Sequence, residues 1–178
     1  MINIYKIESC TDFNRFKKRY KETRKKLILK APVLDACSEN FFAKLLAITN
    51  FTKGDLNFNT DFTCNKSTFQ TITSFEVIEH LQNPLTYLKS INQSLRHNGT
   101  LYLTTPVKSS LDLLKGKYHW KEFTKEELIF LLKYAGFEKI KIEQIRTYQL
   151  RHVGIRPLIR KVRDMLFGQT FFIIATKK

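Results

Sequence analysis

Hydrophobic positions recur along the chain with two different periods, and the alternation of these periods predicts strands and helices in turn. Short runs rich in β-branched and aromatic residues favour buried strands. Such runs lie at 31–36, 50–59 (a short strand or a turn), 69–75, 100–106, 139–145 and 170–177. Apolar residues spaced three and four apart favour helices between these runs, at 11–26, 38–49, 84–98, 125–135 and 156–168.

Two of the predicted helices also carry signals at their ends. Asn83 can cap the helix that Pro84 begins, and Gly99 lies just past its expected end. Thr124 and Glu127 have the spacing of a capping box, in which each side chain accepts a hydrogen bond from the other residue's backbone N–H. We therefore expect both helices to have well-defined starts.

The order of these elements predicts an α/β fold. Strands that alternate with helices of about 10 to 15 residues form a mostly parallel sheet, and the helices then cover both of its faces. Only a partly helical segment separates the last two predicted strands. We therefore expect these two strands to pair antiparallel at one edge of the sheet.

The chain of 178 residues fits one domain and carries a formal net charge of +15. Nearly all of this charge lies in two segments: residues 15–30 hold nine basic residues and one acid, and residues 146–163 hold six basic residues and no acid. Such segments favour anionic partners such as nucleic acid, phosphorylated substrates or an acidic membrane surface, although solvated basic helices would show the same pattern. Residues 155–167 fit a helix lying on a membrane or one packed on the sheet.

Other features of the composition exclude several classes of protein. Three cysteines at irregular spacing do not predict a disulfide framework, and they favour a reducing, cytoplasmic location. The first residues lack the order of a secretory signal, and no apolar run approaches the roughly 20 residues that cross a bilayer. The four histidines, His80, His97, His119 and His152, lack metal-ligand spacing, so the sequence predicts no metal site.

Ligands of an open α/β sheet bind beyond the carboxyl ends of its strands, and this rule selects the candidate functional residues. Asp35 ends a predicted strand, where it could orient loop amides or cap the next helix. Glu76, Glu79 and His80 follow another strand and would place two carboxylates beside an imidazole, unless one of them only caps a helix. His119 precedes a helix and could close over a substrate or face solvent.

Three longer segments carry a family resemblance. They read FEVIEHLQNPLTYLKSINQSLRHNGTLYLTTP, HWKEFTKEELIFLLKYAGFEKIKIE and PVLDACSENFFAKLL. The first is similar to the fourth strand, next helix and fifth strand of class I S-adenosylmethionine-dependent methyltransferases; the others resemble their downstream half and first motif. The resemblance covers roughly residues 31–143. It implies a three-layer Rossmann-like methyltransferase fold, with a mostly parallel sheet and an antiparallel edge strand.

The same resemblance implies S-adenosylmethionine as the cofactor and assigns residues to it. Asp35 would organise the first loop and the methionine end of the cofactor. Asp55 would bind the ribose hydroxyls, although it could equally be a turn residue. Phe75 and Glu76 would lie along the cofactor where their strand ends.

Catalysis of methyl transfer needs in-line placement of the methyl group and the acceptor, and a base only if the acceptor must lose a proton. The candidate bases are His119, His80 and Glu79. The expected acceptor is a small or carrier-linked molecule, which could be anionic. We expect residues 1–30 to form a basic helical extension and residues 31–178 to form the methyltransferase-like domain.

Two departures from the family pattern lead to an alternative function. The family's glycine-rich loop is replaced by ACSEN, in which Ser38 and Asn40 would line the cofactor where glycine normally lets the backbone approach. Only 41 positions separate Asp35 from Glu76, where the family fits about two more elements, so we expect a sheet shortened in its middle. The alternative is a degenerate fold that has lost the cofactor and acts as a basic adaptor for nucleic acid, acidic lipid or a protein.

Overall fold

The computed structural model describes residues 20–36, 43, 45–52, 66–108, 119–145 and 170–178, and its structural facts concern these residues. Their six strands are β1 (Val33–Asp35), β2 (Asn50–Phe51), β3 (Phe69–Phe75), β4 (Leu95–Pro106), β5 (Phe137–Ile145) and β6 (Thr170–Lys177). Their helices are α1 (Pro84–Ser94), α2 (Lys125–Tyr134), a short 3-10 helix at Ile78–His80, and helical residues 20–24.

The strands form one mixed sheet in the order β2-β1-β3-β4-β6-β5. The pairs β2–β1, β1–β3 and β3–β4 are parallel, whereas β6 runs antiparallel to both β4 and β5. The predicted α/β fold, its mostly parallel sheet and its antiparallel pairing at one edge are therefore confirmed. The antiparallel strand itself lies one place in from the edge, because β6 inserts between β4 and β5.

Side chains from the two faces of the sheet form two separate cores. Leu101 and Leu103 of β4 pack with α1 and α2, whereas Tyr102, between them, packs with Leu27 and Phe172 on the opposite face. Successive residues of a strand point to opposite faces, which explains this division. A sheet with packed layers on both faces is the three-layer arrangement that the resemblance implied.

The described part of the predicted N-terminal extension contacts the sheet. Leu27 is 6% exposed, and the Lys26 ammonium donates a hydrogen bond to the Glu143 carboxylate on β5. Hydrogen bonds from Lys141 and Lys26 lower the pKa of Glu143 to about 2. The division of the chain at residue 30 stays a prediction. The partners of the basic segments also stay predictions, because residues 15–19 and 146–163 lie outside the described residues.

The helix starts agree with the sequence signals, but one helix end does not. Thr124 and Glu127 form the predicted capping box, with N–H···O distances of 2.8 and 3.2 Å. The helix predicted to reach residue 98 ends at Ser94, because buried Leu95 pairs with Phe69 of β3 and begins β4. Gly99 lies within β4, where a Cβ would be 2.8 Å from the Arg96 carbonyl oxygen.

Several predicted elements lie wholly or partly outside the described residues, namely the first part of the helix at 11–26, half of the helix at 38–49, and the helix at 156–168. Of the described residues at 38–49, Ala43 and Leu45 are helical. Within the described ranges, no helix combines the length and the apolar composition that crossing a membrane requires. The cytoplasmic location inferred from the cysteines stays a prediction.

The capping box predicts a measurable loss of stability on substitution. T124A removes the hydroxyl that accepts the Glu127 N–H, and caps of this kind contribute about 1 kcal/mol. We expect the melting temperature to fall by about 2 to 4 °C in a calorimetric scan. T86A makes the same chemical change inside α1, where alanine is a good helix former, and should leave the melting temperature unchanged or slightly higher. Equal losses in both variants would contradict the capping role.

Candidate functional site

The sheet has a topological switch point between β1 and β3. From β1 the chain moves to β2 on one side and then to β3 on the other side. In open α/β sheets the crevice at the carboxyl ends of two such strands is the usual ligand site. Asp35 ends β1, and Phe75 and Glu76 lie at the end of β3, so three predicted cofactor residues flank this crevice.

Asp35 is a buried carboxyl group at this crevice, with 1% of its surface exposed. Burial raises its pKa to about 7, although the Thr73 hydroxyl donates a 2.9 Å hydrogen bond to Oδ2 that acts in the opposite direction. Its Oδ1 atom has no hydrogen-bond partner among the described residues. Because a buried, unpaired polar atom is costly, a donor or cation reaching Oδ1 would be stabilising. The ammonium end of a bound amino-acid moiety has this chemistry.

Tyr87 is a residue of this site that sequence analysis missed. Its hydroxyl donates to the Ala36 carbonyl at 3.0 Å and lies 2.8 Å from the Ser74 hydroxyl, so α1 joins the ends of β1 and β3. Tyr87 lies on the buried stripe of α1 with Leu88 and Ile91. A tyrosine on such a stripe needs a polar partner for its hydroxyl, and this was the available signal.

Glu76 adopts a left-handed backbone conformation, with φ 56°. Its N–H donates to the Thr104 carbonyl at 2.9 Å, which continues the pairing of β3 with β4. A non-glycine residue held in a sparsely populated conformation costs roughly 1 to 3 kcal/mol and is typical of functional sites. Sequence analysis selected Glu76 by its position after the strand, but no sequence signal indicated this conformation.

The three predicted bases, Glu79, His80 and His119, lie together in the structure. The Glu79 carbonyl accepts hydrogen bonds from the backbone N–H groups of Trp120 and Lys121, at 2.8 and 3.1 Å. These bonds hold the segment at 119–121 against the 3-10 helix, so the rings of His80 and His119 lie 5.1 Å apart, edge to face. The two histidines are 39 positions apart in the sequence, and no local pattern indicated their contact.

Buried polar groups orient the side chains of this cluster. The Thr105 hydroxyl donates to Glu79 Oε2 at 3.1 Å, and Glu79 is completely buried. His119 Nδ1 lies 2.9 Å from Glu122 Oε1, a residue that sequence analysis did not select although it stands three positions later. With Nδ1–H donating to this carboxylate, Nε2 keeps a lone pair. One ligand atom from each of Glu79, His80 and His119 lies within 4.8 Å of the others.

The remaining site predictions have different outcomes. Phe75 is half-buried and packs against the core cluster that contains Leu27, which places its ring on the face covered by the N-terminal segment. Ser38, Asn40 and Asp55 lie outside the described residues, so their contacts with a cofactor stay predictions.

The fold and its switch-point crevice define the class of α/β proteins to which the S-adenosylmethionine-dependent methyltransferases belong. A family model described as a methyltransferase domain matches residues 22–142. The chain therefore belongs to this family of methyltransferase domains. The resemblance stated from the sequence is confirmed, and the adaptor alternative gains no support. A comparison with curated proteins gave no match.

Solved structures agree on the fold. An S-adenosylmethionine-dependent methyltransferase from Thermotoga maritima, described as a possible histamine N-methyltransferase, has a TM-score of 0.69 at 19% identity, covering 93% of this chain and 91% of that one. A structure described as a SAM-dependent methyltransferase from Archaeoglobus fulgidus has a TM-score of 0.62 at 19% identity, covering 97% of this chain and 96% of that one. The [4+2]-cyclase SpnF has a TM-score of 0.59 at 13% identity, covering 92% of this chain and 80% of that one. Because a cyclase shares the fold, the fold alone does not determine the reaction.

Removal of the Tyr87 hydroxyl should destabilise the fold. Y87F leaves the Ala36 carbonyl without its Tyr87 donor in a buried region, and such a loss costs about 1 to 3 kcal/mol. We expect a corresponding decrease in the free energy of unfolding measured with urea. Y134F removes a hydroxyl from a tyrosine that is 64% exposed and should have no measurable effect. A Y87F protein as stable as the wild type would show that this hydroxyl does not join the strand ends.

The pKa of Asp35 predicts how stability depends on pH. The folded protein binds the Asp35 proton up to about pH 7, whereas the unfolded chain releases it near the ordinary aspartate pKa of 3.8. Raising the pH across this interval therefore favours the unfolded state and lowers the free energy of unfolding by up to a few kcal/mol. The D35N side chain cannot ionise. In urea titrations its free energy of unfolding should therefore rise relative to that of the wild type as the pH increases from 4 to 7. E126Q, at an exposed carboxylate, should follow the wild-type curve; parallel wild-type and D35N curves would contradict the prediction.

Proposed function

We propose that this methyltransferase binds S-adenosylmethionine in the crevice between β1 and β3 and methylates a small or carrier-linked acceptor. The observation that carries the proposal is Asp35, a buried carboxyl group at the switch point whose Oδ1 has no partner among the described residues. Glu76 stands across the crevice at the end of β3. Two acidic side chains suit a ligand that carries an ammonium group and a sulfonium cation.

The residues present fit the cofactor in the chemistry of their polar groups. Asp35 would hold the ammonium of the methionine portion, and the Thr73 hydroxyl would keep its other oxygen in place. Tyr87 would fix the first turn after β1 by its bond to the Ala36 carbonyl. We propose that Asp55 takes the ribose hydroxyls, and that Ser38 and Asn40 line the loop that lacks glycine.

The cluster of Glu79, His80 and His119 would serve the acceptor. S-adenosylmethionine, when bound, supplies an electrophilic methyl group on its sulfonium sulfur. The acceptor's nucleophilic atom needs a free lone pair, and His119 Nε2 can take its proton while the Glu122 carboxylate steadies the imidazolium through Nδ1–H. Glu79 lies three positions beyond Glu76, so the cluster adjoins the crevice along the chain.

Ligand-dependent stabilisation tests the cofactor site. A ligand at about 100 times its Kd stabilises by about 2.7 kcal/mol, which should raise the melting temperature by roughly 5 to 10 °C. We expect such a shift with S-adenosylmethionine and with S-adenosylhomocysteine in a thermal-shift assay. D35N and D55A should each lose most of the shift, whereas D61A should keep it.

Three results would count against the proposal. Absence of a shift from the folded wild-type protein would contradict cofactor binding and favour the adaptor. A full shift in D35N would remove Asp35 from the binding site. Loss of the shift in D61A but not in D55A would reverse the assignment of the ribose ligand.

A further inference from the structure

We propose that Glu79, His80 and His119 bind a divalent transition-metal cation such as Zn²⁺ at the carboxyl edge of the sheet. The cation site stands on the geometry of these side chains, and its use in activating the acceptor rests on the proposed function. Two imidazoles and one carboxylate form a ligand set suited to Zn²⁺ and its neighbours, and three protein ligands leave a coordination position open for a substrate.

The ligand atoms are close enough for small side-chain movements to complete the site. One atom from each residue lies within 4.8 Å of the others, and His80 Nε2 is 3.9 Å from Glu79 Oε1. Bonds of about 2.1 Å in a tetrahedral site separate neighbouring ligand atoms by about 3.4 Å. The His80 and His119 side chains are 25% and 20% exposed, so rotation of their rings can close the difference.

Backbone contacts hold the two ligand-bearing segments together without help from the side chains. The Glu79 carbonyl binds the N–H groups of Trp120 and Lys121. Two residues further on, Phe123 pairs with Val107 beyond the end of β4, and its carbonyl accepts the Lys108 N–H at 3.0 Å. The approach of the two histidines is therefore a property of the fold.

Glu122 gives His119 the environment of a metal ligand. Histidines that bind a metal through Nε2 commonly donate Nδ1–H to a carboxylate, which fixes the ring and its tautomer. The 2.9 Å contact between His119 Nδ1 and Glu122 Oε1 has this form. Glu79 and Glu122 are 0% and 8% exposed, and a bound cation would offset the cost of burying these two carboxylates.

A cation at this position would activate the acceptor in place of His119, because a metal-bound Nε2 has no lone pair left to act as the base. An acceptor hydroxyl bound at the open position would have a lower pKa, because the cation stabilises its deprotonated oxygen. The O–H bond breaks and the proton leaves to water. The oxygen lone pair then forms a bond to the methyl carbon, and the electron pair of the broken C–S bond goes to sulfur. Glu122 acts here as a positioning residue.

Cobalt provides a direct probe of the site. We expect Co²⁺ titrated into the metal-stripped full-length protein to produce the visible absorption of a low-coordinate cobalt centre at one equivalent, and Zn²⁺ to displace it. H119Q should weaken Co²⁺ binding at least 100-fold, and E122Q about 10- to 100-fold, as outer-shell partners do. H97Q alters an exposed histidine outside the cluster and should bind Co²⁺ as the wild type does.

The cluster is ruled out as a cation site if no cobalt absorption appears, or if H119Q and H80Q both keep the wild-type affinity while circular dichroism shows them folded. A loss of Co²⁺ affinity in H97Q equal to that in H119Q would also rule the cluster out, because the signal would then depend on histidines outside it. Cofactor binding is tested separately by the S-adenosylhomocysteine shift of the metal-stripped protein. A His119-dependent cobalt signal without that shift would support the cation site and contradict the proposed function. A shift with S-adenosylhomocysteine but no cobalt signal would support the proposed function and contradict the cation site.

Discussion

The parallel pairing of β1 with β3 is the contact on which the rest of the site depends. Its register sets Asp35 opposite Thr73, which lets the Thr73 hydroxyl reach the buried carboxyl group. A slip of one residue would turn Asp35 to the other face of the sheet and break this bond. The same pairing places the turn at Ala36 under the Tyr87 hydroxyl, so helix α1 supports both strand ends. Sheet register and crevice geometry are thus one constraint.

Three locally unfavourable features lie at the carboxyl edge of this sheet. Asp35 is buried with a pKa of about 7, Glu76 has a φ of 56°, and the Glu79 carboxyl group has no exposure to solvent. The Thr73 hydroxyl donates a hydrogen bond to Asp35, and the Thr105 hydroxyl donates one to Glu79. The Glu76 N–H donates to the Thr104 carbonyl. These hydrogen bonds hold the three acidic residues in place. Such features persist only where surrounding structure enforces them, and they are characteristic of functional sites. The apolar core on both faces of the sheet provides that enforcement.

Local signals were sufficient for most of the elements. The strand predicted at 69–75 has the same bounds in the structure, and the capping box of Thr124 and Glu127 forms as its spacing indicated. These predictions depend on backbone preferences and on side chains a few residues apart, which the sequence shows directly. The predicted end of α1 at residue 98 was wrong, because burial of Leu95 and its pairing with β3 outweighed the local helix pattern.

The sequence by itself determined the alternation of strands and helices, the family resemblance, and the strand-end positions of Asp35, Glu76 and Glu79. Only the tertiary structure decided that His119 meets His80, that Glu122 holds His119, and that Tyr87 joins the ends of β1 and β3. The physical reason is distance along the chain. Periodicity shows which face of an element is buried, whereas contacts across 39 positions arise from strand order and from the bonds of the Glu79 carbonyl to residues 120 and 121.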